Sequence, residues 1–587
     1  MKSHFDAHTL RKSILAFTVA IGVGFLLINL LGIYLVGPYG WDDGAITLAY
    51  AKTLSEHKVV ALTGASEIVE GSSSLLYVFL IALLHKFIGF DFTGFILASQ
   101  ILAFSAVCAT LVSVFMSLKS SIKNPLYQSL IIVLLGTLPM FTTEIFNGME
   151  MSLFAFLLFL LTISYEAKSR SIFFLVPFVL LVRPESIFYL FFAFTFLLFF
   201  NKNQRLRIFS LGIYIALIFG LMTSLRWIYF NDFLPNTLWA KMNPPYSPVG
   251  TSRFFKTDGI TEFLEVNFFL LIGVFSFLIL QKKLDFLLDF KFWLIVSFAV
   301  FALLTGKNWG YQGRMFLACL PLLLLIMANN FSTQTGHPGN LMINCSNHKI
   351  QIDRQTLDRS FLVICLLGVH LSNFPLHISN FKTAMEGGYY QERLPNPLKM
   401  IIEKRRLNAG SDSYWYGITP ENYRITGVAV ERIRTLLDLD TITFMVPDVG
   451  GVGLCCERIR VIDSALLTNS FLAKKGYQKF DLYLSKVVPD IIETHGCWSE
   501  VTGIYQSSFF QNNYLPVVFN NNLFWIHRLQ AEKLLQSPFI KKSLIENLSL
   551  LSMVRYSGSQ ISGSQIDREY ISNQYVGPVW NIEPSPF

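Results

Sequence analysis

Long apolar runs separated by short polar and basic segments dominate the first two thirds of the chain. The first run covers residues 13–36 behind Lys2, Arg11 and Lys12, which predicts a signal anchor with its N-terminus in the cytoplasm. Further runs lie at 74–90, 94–118, 127–143, 149–165, 171–183, 186–200, 208–230, 264–280, 292–305, 314–331 and 360–377. Most approach the roughly 20 residues that a helix needs to cross a bilayer. The pattern predicts an α-helical polytopic membrane protein with about 11 crossings.

The basic loops between these runs predict the orientation of the helices. By the positive-inside rule, the cytoplasmic loops are those with Lys119 and Lys123, Lys168 and Arg170, residues 201–207, and Lys282 and Lys283. Counting the membrane crossings backwards from these loops places 144–150, 183–185, 231–262 and 306–314 outside the cytoplasm. The segment 37–73 must then also be outside, so 74–118 can contain only one net crossing. We therefore expect 74–90, which is interrupted by His85 and Lys86, to form a juxtamembrane or re-entrant helix.

The pattern changes after residue 331, and it predicts four parts. These are a membrane domain at 1–332, a polar cytoplasmic loop at 333–359, a last crossing at 360–377 and an outer domain at 378–587. In the outer domain, short β-type runs at Thr441–Val446, Arg460–Ile462 and Asp481–Leu484 alternate with helical segments, which is typical of an α/β fold.

Composition supports a membrane protein. The chain has 52% hydrophobic and 15% charged residues, whereas a soluble protein has about 25% charged residues. A water-soluble globular enzyme over the full 587 residues is therefore excluded. The net charge of +8 is weak evidence for nucleic acid, because Lys and Arg in membrane proteins more often set topology and bind lipid phosphates. We expect the lipid bilayer as a partner and no nucleic acid.

Candidate chemistry begins just beyond the first predicted crossing, at Asp42 and Asp43. Burial and the neighbouring charge can raise the pKa of such a carboxylate, which could then take the proton from an acceptor hydroxyl. Alternatively, one Asp caps a helix that starts near Gly44. The same loop continues through a turn-rich segment, 63–74, that contains Glu70 and that could equally be a solvated loop.

Other ionisable residues recur at predicted outer helix ends. Glu144 and Glu150 bracket one such end. At another, Arg183 and Glu185 flank a proline that breaks the helix. Arg183 and Glu185 could satisfy each other, or Arg183 could face a cavity and hold an anion.

Two further outer segments contain aromatic and cationic residues, 233–241 with Asn236 and Lys241, and 305–314 with Arg314. Such residues are usually interfacial anchors. Together with Arg183, however, they bring three cations and at least two acids to one predicted outer surface. Acids suit hydroxyl activation, and fixed cations suit a phosphate leaving group.

The order of these segments resembles the GT-C superfamily of polytopic glycosyltransferases, in particular the bacterial branch that includes the mycobacterial arabinofuranosyltransferase type. The similar motifs are Asp42-Asp43 with the helix to Leu54, Val69-Glu70-Gly71-Ser72-Ser73, Gly148-Met149-Glu150, Arg183-Pro184-Glu185, Leu234 to Lys241 and Gly306 to Arg314. The last motif departs from the family: Asn308 stands where the family usually has Asp, and Lys307 replaces a Gly. Residue 308 therefore cannot act as a carboxylate, and Arg314 is the one residue of this motif that we expect to have a functional role.

The resemblance implies a polyprenyl-phosphate sugar donor, an envelope glycan, lipid or protein acceptor, and an outward-facing cavity in the bacterial inner membrane. It makes Asp42 the expected general base, Asp43 its support or substitute, and Glu150 the residue that orients acceptor or sugar. Arg183, Lys241 and Arg314 would neutralise the departing phosphate, and Glu70, Glu185 and Asn236 would bind substrate. No cofactor is certain, and a divalent metal is compatible with the superfamily. The alternatives are a lipid-linked saccharide transporter or flippase, and an envelope sensor.

A weaker likeness to this branch extends to the outer domain, at Pro447-Asp448-Val449-Gly450-Gly451-Val452-Gly453 and Val461-Ile462-Asp463. This glycine cluster lacks the third Gly of the dinucleotide fingerprint, so we interpret it as a tight strand–turn, with Asp448 a candidate to face the acceptor. The spacing of Cys455, Cys456 and Cys497 fits no standard zinc site. In an oxidising compartment, Cys497 could form a disulfide with Cys455 or Cys456.

Overall fold

The computed structural model describes residues 42–119, 121–122, 124–243, 246, 257–281, 285–306, 313–332, 341–345, 348–352, 354–373, 419–494, 496–520, 522–545, 570–571, 574–575 and 577–584. The predicted anchor at 13–36 and the motif residues Lys307 and Asn308 lie outside these ranges. The described residues divide into two compact units. The helical unit comprises the described residues within Gln100–Gly220 and Ser252–Gln391, and the sheet unit comprises those within Pro38–Ser99, Leu221–Thr251 and Glu392–Phe587.

The described N-terminal two thirds of the chain form mainly helices. They are α1 Asp42–His57, α2 Leu75–Ile88, α3 Phe92–Leu118, α4 Pro125–Gly136, α5 Pro139–Asn147, α6 Met151–Glu166, α7 Ser171–Val182, α8 Ser186–Phe200, α9 Arg205–Phe230, α10 Asn236–Lys241, α11 Thr257–Gln281, α12 Phe290–Thr305, α13 Cys319–Ser332 and α14 Arg354–Ser372. Short 3-10 helices cover Lys202–Gln204, Asp285–Leu288 and Arg314–Phe316. Strands β1 Leu341–Cys345 and β2 His348–Ile352 pair as an antiparallel hairpin inside the segment predicted as a polar loop.

Three described helices are long and apolar enough to cross a membrane, Phe92–Leu118, Lys202–Phe230 and Thr257–Ser276. A fourth is possible if Pro125–Gly136 and Pro139–Ile145, which meet at a 57° bend, count as one span. The other apolar helices have 10–17 residues. At about 1.5 Å per residue, they fall short of a hydrocarbon core about 30 Å thick. The helical fold is confirmed, whereas the prediction of about 11 crossings is not.

Aromatic rings make up much of the core of the helical unit, as the Phe-rich runs of α8 and α12 require. The Tyr189 ring stacks on Phe298 with 4.0 Å between centroids, and Phe194 stacks on Phe290 at 4.9 Å. Both pairs join α8 to α12. Aromatic pairs stabilise a core beyond the area that they bury, so these contacts fix two neighbouring short helices together.

The C-terminal part of the sheet unit contains a seven-stranded mixed sheet. Its strands are β3 Ile442–Val446, β4 Ile459–Asp463, β5 Ile491–Ile492, β6 Tyr514–Phe519, β7 Asn522–His527, β8 Ile540–Leu544 and β9 Trp580–Pro584, in the order β4-β3-β5-β7-β6-β9-β8. The pairs β3–β4, β3–β5 and β6–β9 are parallel, and β5–β7, β6–β7 and β8–β9 are antiparallel. The predicted C-terminal α/β domain therefore corresponds to a mixed sheet with helices.

Seven described helices accompany this sheet: α15 Pro420–Leu436, α16 Gly450–Cys455, α17 Ser470–Lys475, α18 Phe480–Val487, α19 Gly496–Thr502, α20 Ser508–Asn513 and α21 Arg528–Gln536. Two more 3-10 helices cover Gly476–Lys479 and Ile504–Gln506. The strand predicted at Asp481–Leu484 is wrong, because these residues lie in α18. Phe480 and Leu484 are buried whereas Leu482 is exposed, which fits one face of a helix; in a strand all three residues would share a face.

The glycine cluster lies in α16, which packs directly against α1 and α15. A Cβ at Gly450 would lie 2.0 Å from the backbone oxygen of Asp42, and one at Gly451 would lie 2.1 Å from the backbone oxygen of Pro420. Since backbone atoms cannot move aside cheaply, any larger residue at either position would separate the helices. Close approach of α16 to the first loop therefore explains the glycines without a nucleotide.

Candidate functional site

Asp42, in the first turn of α1, binds the start of α16. Its carboxylate oxygens accept hydrogen bonds from the backbone N–H groups of Gly450 and Gly451, both at 2.6 Å, and its side chain is buried. The N-terminal end of a helix presents unpaired N–H groups and a partial positive charge that suit a carboxylate. The carboxylate of Asp42 thus caps α16, a distant segment, rather than the local helix that the sequence alternative envisaged.

Four carboxylates lie close enough in the sheet unit to influence one another, and we call Asp42, Asp43, Asp448 and Asp463 the acid cluster. Burial raises the pKa of Asp42 well above its usual range, and the charges of Asp448 and Asp43 contribute to this rise. The hydrogen bonds from the two backbone N–H groups act in the opposite direction and lower the pKa. Asp448 follows β3 and accepts a 2.7 Å hydrogen bond from the hydroxyl of Tyr423.

Asp463, at the end of β4, completes this cluster. It accepts hydrogen bonds from the backbone N–H groups of Ala465 at 2.6 Å and Thr468 at 2.7 Å. Burial, with a contribution from the Asp448 charge, raises its pKa to about 7. A carboxyl group with such a pKa exchanges its proton near neutral pH, which is the property that acid–base chemistry needs.

Tyr246 lies close enough to the acid cluster for three of its charges to act on the phenol. Burial raises the pKa of its phenol well above the usual range, and the charges of Asp463, Asp43 and Asp448 add to the shift. Sequence reasoning did not select Asp463 or Tyr246 as site residues. The available signal was the position of Asp463 at the end of a buried β-run, where loop residues often serve a site.

A second charged group in the sheet unit joins Glu70 to Arg226. The guanidinium of Arg226 donates to both carboxylate oxygens of Glu70, one contact at 2.9 Å, and both side chains are buried. Sequence reasoning selected Glu70 but missed Arg226. The signal was a lone cation inside the apolar run 208–230, where an ionisable residue indicates a buried partner.

Beside this pair lies a polar cavity of about 200 Å³, whose lining includes Glu67, Glu70, Asp232, Asn236, Ser470 and Lys474. The Lys474 ammonium lies 2.7 Å from Asp232 across the cavity lining. The backbone N–H of Asn236 donates to the carbonyl of Glu70 at 3.2 Å, so the structure brings these two predicted residues together. Lys241 ends α10 and is exposed.

Among the described residues, the side-chain amide of Asn236 forms hydrogen bonds through its nitrogen but not through its oxygen. Its Nδ2 donates to the carbonyls of Leu466 at 3.0 Å and Leu467 at 2.8 Å. Its Oδ1 is buried and accepts no hydrogen bond from any residue that the structure describes. A buried acceptor without a donor is costly, and this one belongs to a cavity-lining residue.

The helical unit contains a cluster of opposite charges. Arg183, at the end of α7, contacts Glu150, and its guanidinium lies 2.5 Å from Glu185; Arg314 lies 3.1 Å from the same Glu150. Glu150, Arg183 and Arg314 are buried. Glu144, also buried, accepts from the backbone N–H of Met151 at 2.7 Å. Of the two sequence alternatives for Arg183, the geometry matches the pair with Glu185, extended to Glu150.

The disulfide differs from the expected pairing. Cys455 and Cys456 are bonded to each other, so neither pairs with Cys497. Cys455 is the last residue of α16, and Cys456 follows it directly. The spacing of the three cysteines could not distinguish between the pairings.

One group could hold a metal ion. Oxygen and nitrogen atoms of Glu56, His57 and Glu457 lie within 4.8 Å of one another, and all three residues are exposed. Lys52 lies 3.1 Å from Glu457 and partly neutralises the group. Exposed acidic groups of this kind are common without a metal, and the described residues indicate no cofactor.

Comparison with protein-family models, with characterised proteins and with solved structures found no match.

Proposed function

We propose that the protein is an inner-membrane glycosyltransferase of GT-C type. It moves a sugar from a polyprenyl phosphate to a hydroxyl of a cell-envelope acceptor on the periplasmic side. The observation that carries this proposal is the acid cluster, in which the half-buried Asp448 and the buried Asp463 lie close to the first-loop pair Asp42 and Asp43. The long apolar helices and the order of the sequence motifs support the membrane location and the donor.

In the proposed reaction, Asp43 is the general base. Asp42 was the first choice from sequence, but both of its oxygens accept backbone hydrogen bonds, and it is buried. Asp43 is half-buried and belongs to the same cluster. The acceptor oxygen attacks the anomeric carbon while the bond from that carbon to the phosphate oxygen breaks. The hydroxyl proton passes to Asp43, the electron pair leaves with the polyprenyl phosphate, and the configuration inverts.

Asp42 is then a positioning residue, since it ties the first loop to α16 and thereby places Asp448 beside the reacting acid. Within the sheet unit, Lys241 is the exposed cation that we assign to the leaving phosphate. Lysine is a compact charge that commonly binds phosphate. We assign Glu70 to holding Arg226 and the segment around Asn236.

Arg183 and Arg314 were expected to neutralise the phosphate, and Glu150 to orient a substrate. Their mutual pairing supports a different assignment. Glu150 accepts from both guanidinium groups, so their charge is already compensated inside the helical unit. In this proposal the three residues, with Glu185, hold the ends of short helices, and substrate contacts are left to the sheet unit.

The test uses the purified full chain in liposomes with radiolabelled undecaprenyl-phosphate sugars and a delipidated envelope glycan fraction as acceptor. A transferase moves label into the glycan and releases undecaprenyl phosphate, whereas protein-free liposomes do not. Label that crosses the bilayer while remaining on the lipid would identify a flippase and overturn the proposal. Label that neither crosses nor transfers, with binding of glycan alone, would identify an envelope sensor.

A further inference from the structure

We propose that the polar cavity of the sheet unit binds a single sugar ring of the acceptor. This inference rests on the proposed glycosyltransferase activity for the identity of that sugar as acceptor. The binding itself rests on the cavity. Its central observation is Asn236, a buried residue of the cavity lining whose Oδ1 receives no hydrogen bond from the described residues. A hydroxyl group of a ligand is the donor that this oxygen lacks.

The amide of Asn236 cannot turn to satisfy that oxygen internally. Its Nδ2 already donates to the carbonyls of Leu466 and Leu467, and those carbonyls could not donate to Oδ1 if the amide were reversed. The unsatisfied acceptor is therefore fixed in orientation. Burial of Asn236 leaves only 2% of the residue exposed, so bulk water reaches the oxygen poorly.

The rest of the lining suits hydroxyl groups. Glu67 accepts from the side chain of Ser470, and Asp232 forms an ion pair with Lys474 at 2.7 Å. A carboxylate accepts from hydroxyls and an ammonium donates to them, so neighbouring hydroxyls of one ring can be bound from both sides. Phe230 and Leu234 add apolar surface for the carbon face of the ring.

Charge and size argue against other ligands. Glu67, Glu70 and Asp232 supply three negative charges in the lining, whereas Lys474 and the Arg226 bound to Glu70 supply two positive charges. The balance of one negative charge disfavours phosphate. At about 200 Å³ the cavity is also smaller than the roughly 300–1,000 Å³ of pockets for drug-sized ligands, so it fits a monosaccharide rather than a nucleotide.

The experiment measures binding of methyl glycosides to the purified full chain in nanodiscs by saturation-transfer NMR. The probes are methyl hexopyranosides, a methyl 2-acetamidohexoside and a methyl pentofuranoside, with inorganic phosphate and spermidine as non-sugar probes. We expect at least one glycoside to bind in the millimolar range, with neither phosphate nor spermidine competing. Displacement of the glycoside by either non-sugar probe, or binding by no glycoside, would overturn the proposal.

Two variants locate the binding. Asn236→Ala removes the acceptor oxygen, and Ser470→Phe adds a bulky side chain at another residue of the cavity lining without changing Asn236; each should raise the apparent Kd at least tenfold. Asn267→Ala is the matched control, because Asn267 is also a buried asparagine whose Oδ1 has no partner in the described residues, but it lies in α11 of the helical unit. If Asn236→Ala fails to fold, the apparent Kd of Ser470→Phe alone tests whether the glycoside binds in the cavity. Equal affinity of Ser470→Phe and wild type would place the sugar elsewhere.

Failure of this inference can be distinguished from failure of the proposed function. Glycoside binding that Ser470→Phe abolishes, in a protein that transfers no sugar from any lipid donor, would retain the sugar site and reject the transferase. Active transfer together with glycoside binding that is unchanged in Ser470→Phe would retain the transferase and reject the cavity as its acceptor subsite.

Discussion

The two clusters of buried charge differ in how their charges are compensated. In the helical unit, Glu150 is shared by two guanidinium groups, and Arg183 also contacts Glu185. In the sheet unit, Asp42 and Asp463 accept hydrogen bonds from backbone N–H groups, the Thr468 side chain also bonds Asp463, and the charge of Asp448 raises the pKa of both acids. In the first arrangement guanidinium charges neutralise the buried Glu150, whereas in the second burial raises the pKa of Asp42 and raises that of Asp463 to about 7. Proton transfer is therefore expected in the sheet unit, and structural cohesion in the helical unit.

The largest loss of stability is expected when the charge cluster around Glu150 in the helical unit is broken. Glu150→Gln removes the anion that both Arg183 and Arg314 contact, and leaves buried guanidinium groups short of negative charge. Breaking a buried ion pair on one side costs about 3–5 kcal/mol. We expect a clear fall in the thermal midpoint of the detergent-purified protein.

Glu431→Gln is the matched control for that variant. Glu431 pairs with Arg434 at 2.6 Å, one turn away on the surface of α15. Such a pair contributes only about 0.2–0.5 kcal/mol. Equal thermal midpoints for the two variants would show that the Glu150 cluster does not hold the helical unit together.

A smaller effect is expected where the acid cluster is assembled. Gly450→Ala places a Cβ against the backbone oxygen of Asp42, and overpacking of this kind costs about 1–3 kcal/mol. The clash also separates Asp42 from its N–H donors. Gly212→Ala is the control, because a Cβ there meets nothing within 4 Å. Thermal unfolding of both variants is the measurement, and a Gly450→Ala protein as stable as Gly212→Ala would contradict the close packing of α1 and α16.

A further expected effect is a pH dependence of stability with an unusual sign. The folded-state pKa values of Asp42 and Asp463 are raised, that of Asp463 to about 7, whereas an unfolded Asp titrates near about 3.9. Between these values the folded protein holds protons that the unfolded chain releases. The stability from these groups is therefore fully present below about pH 4 and is lost as pH rises towards 7, by at most about 1.4 kcal/mol per pH unit for each group.

Asp463→Asn sharpens this prediction because it removes one of the two titrating groups. The fall in thermal midpoint between pH 5 and pH 7.5 should be shallower in the variant than in wild type. Parallel slopes in the two proteins would mean that Asp463 does not titrate in this pH range, which would contradict the prediction.

The sequence was informative where a pattern is local and limited where it is not. Apolar runs predicted the helices, and the β-runs at Thr441–Val446 and Arg460–Ile462 correspond to β3 and β4. The apolar runs at 171–183, 186–200 and 292–305 have only 13–15 residues, and the helices there have 12–16 residues, so the number of crossings was overestimated from runs that were already short. The segment at Asp481–Leu484 was ambiguous because four residues are too few to distinguish the helical from the strand period.

For the candidate site, the sequence identified the first-loop acids but not their partners. Asp42 meets Gly450 more than four hundred residues away, and no spacing rule connects such positions. Arg226 was missed because it lies inside an apolar run that was interpreted only as a membrane helix. The proposed role of Asn236 depends on the orientation of its side-chain amide, which the sequence does not give. Motif order suggested which residues matter, whereas the assignment of roles needed contacts.

The central claim is that Asp43 takes the proton of the acceptor hydroxyl. The direct measurement is transfer from radiolabelled undecaprenyl-phosphate sugar to envelope glycan by Asp43→Asn, per folded molecule, beside Asp438→Asn as an exposed Asp-to-Asn control. Loss of a general base costs about 10²–10⁴-fold, so Asp43→Asn should lose at least about 100-fold in rate at an unchanged thermal midpoint, while Asp438→Asn keeps the wild-type rate. Transfer by Asp43→Asn at the wild-type rate would contradict the account.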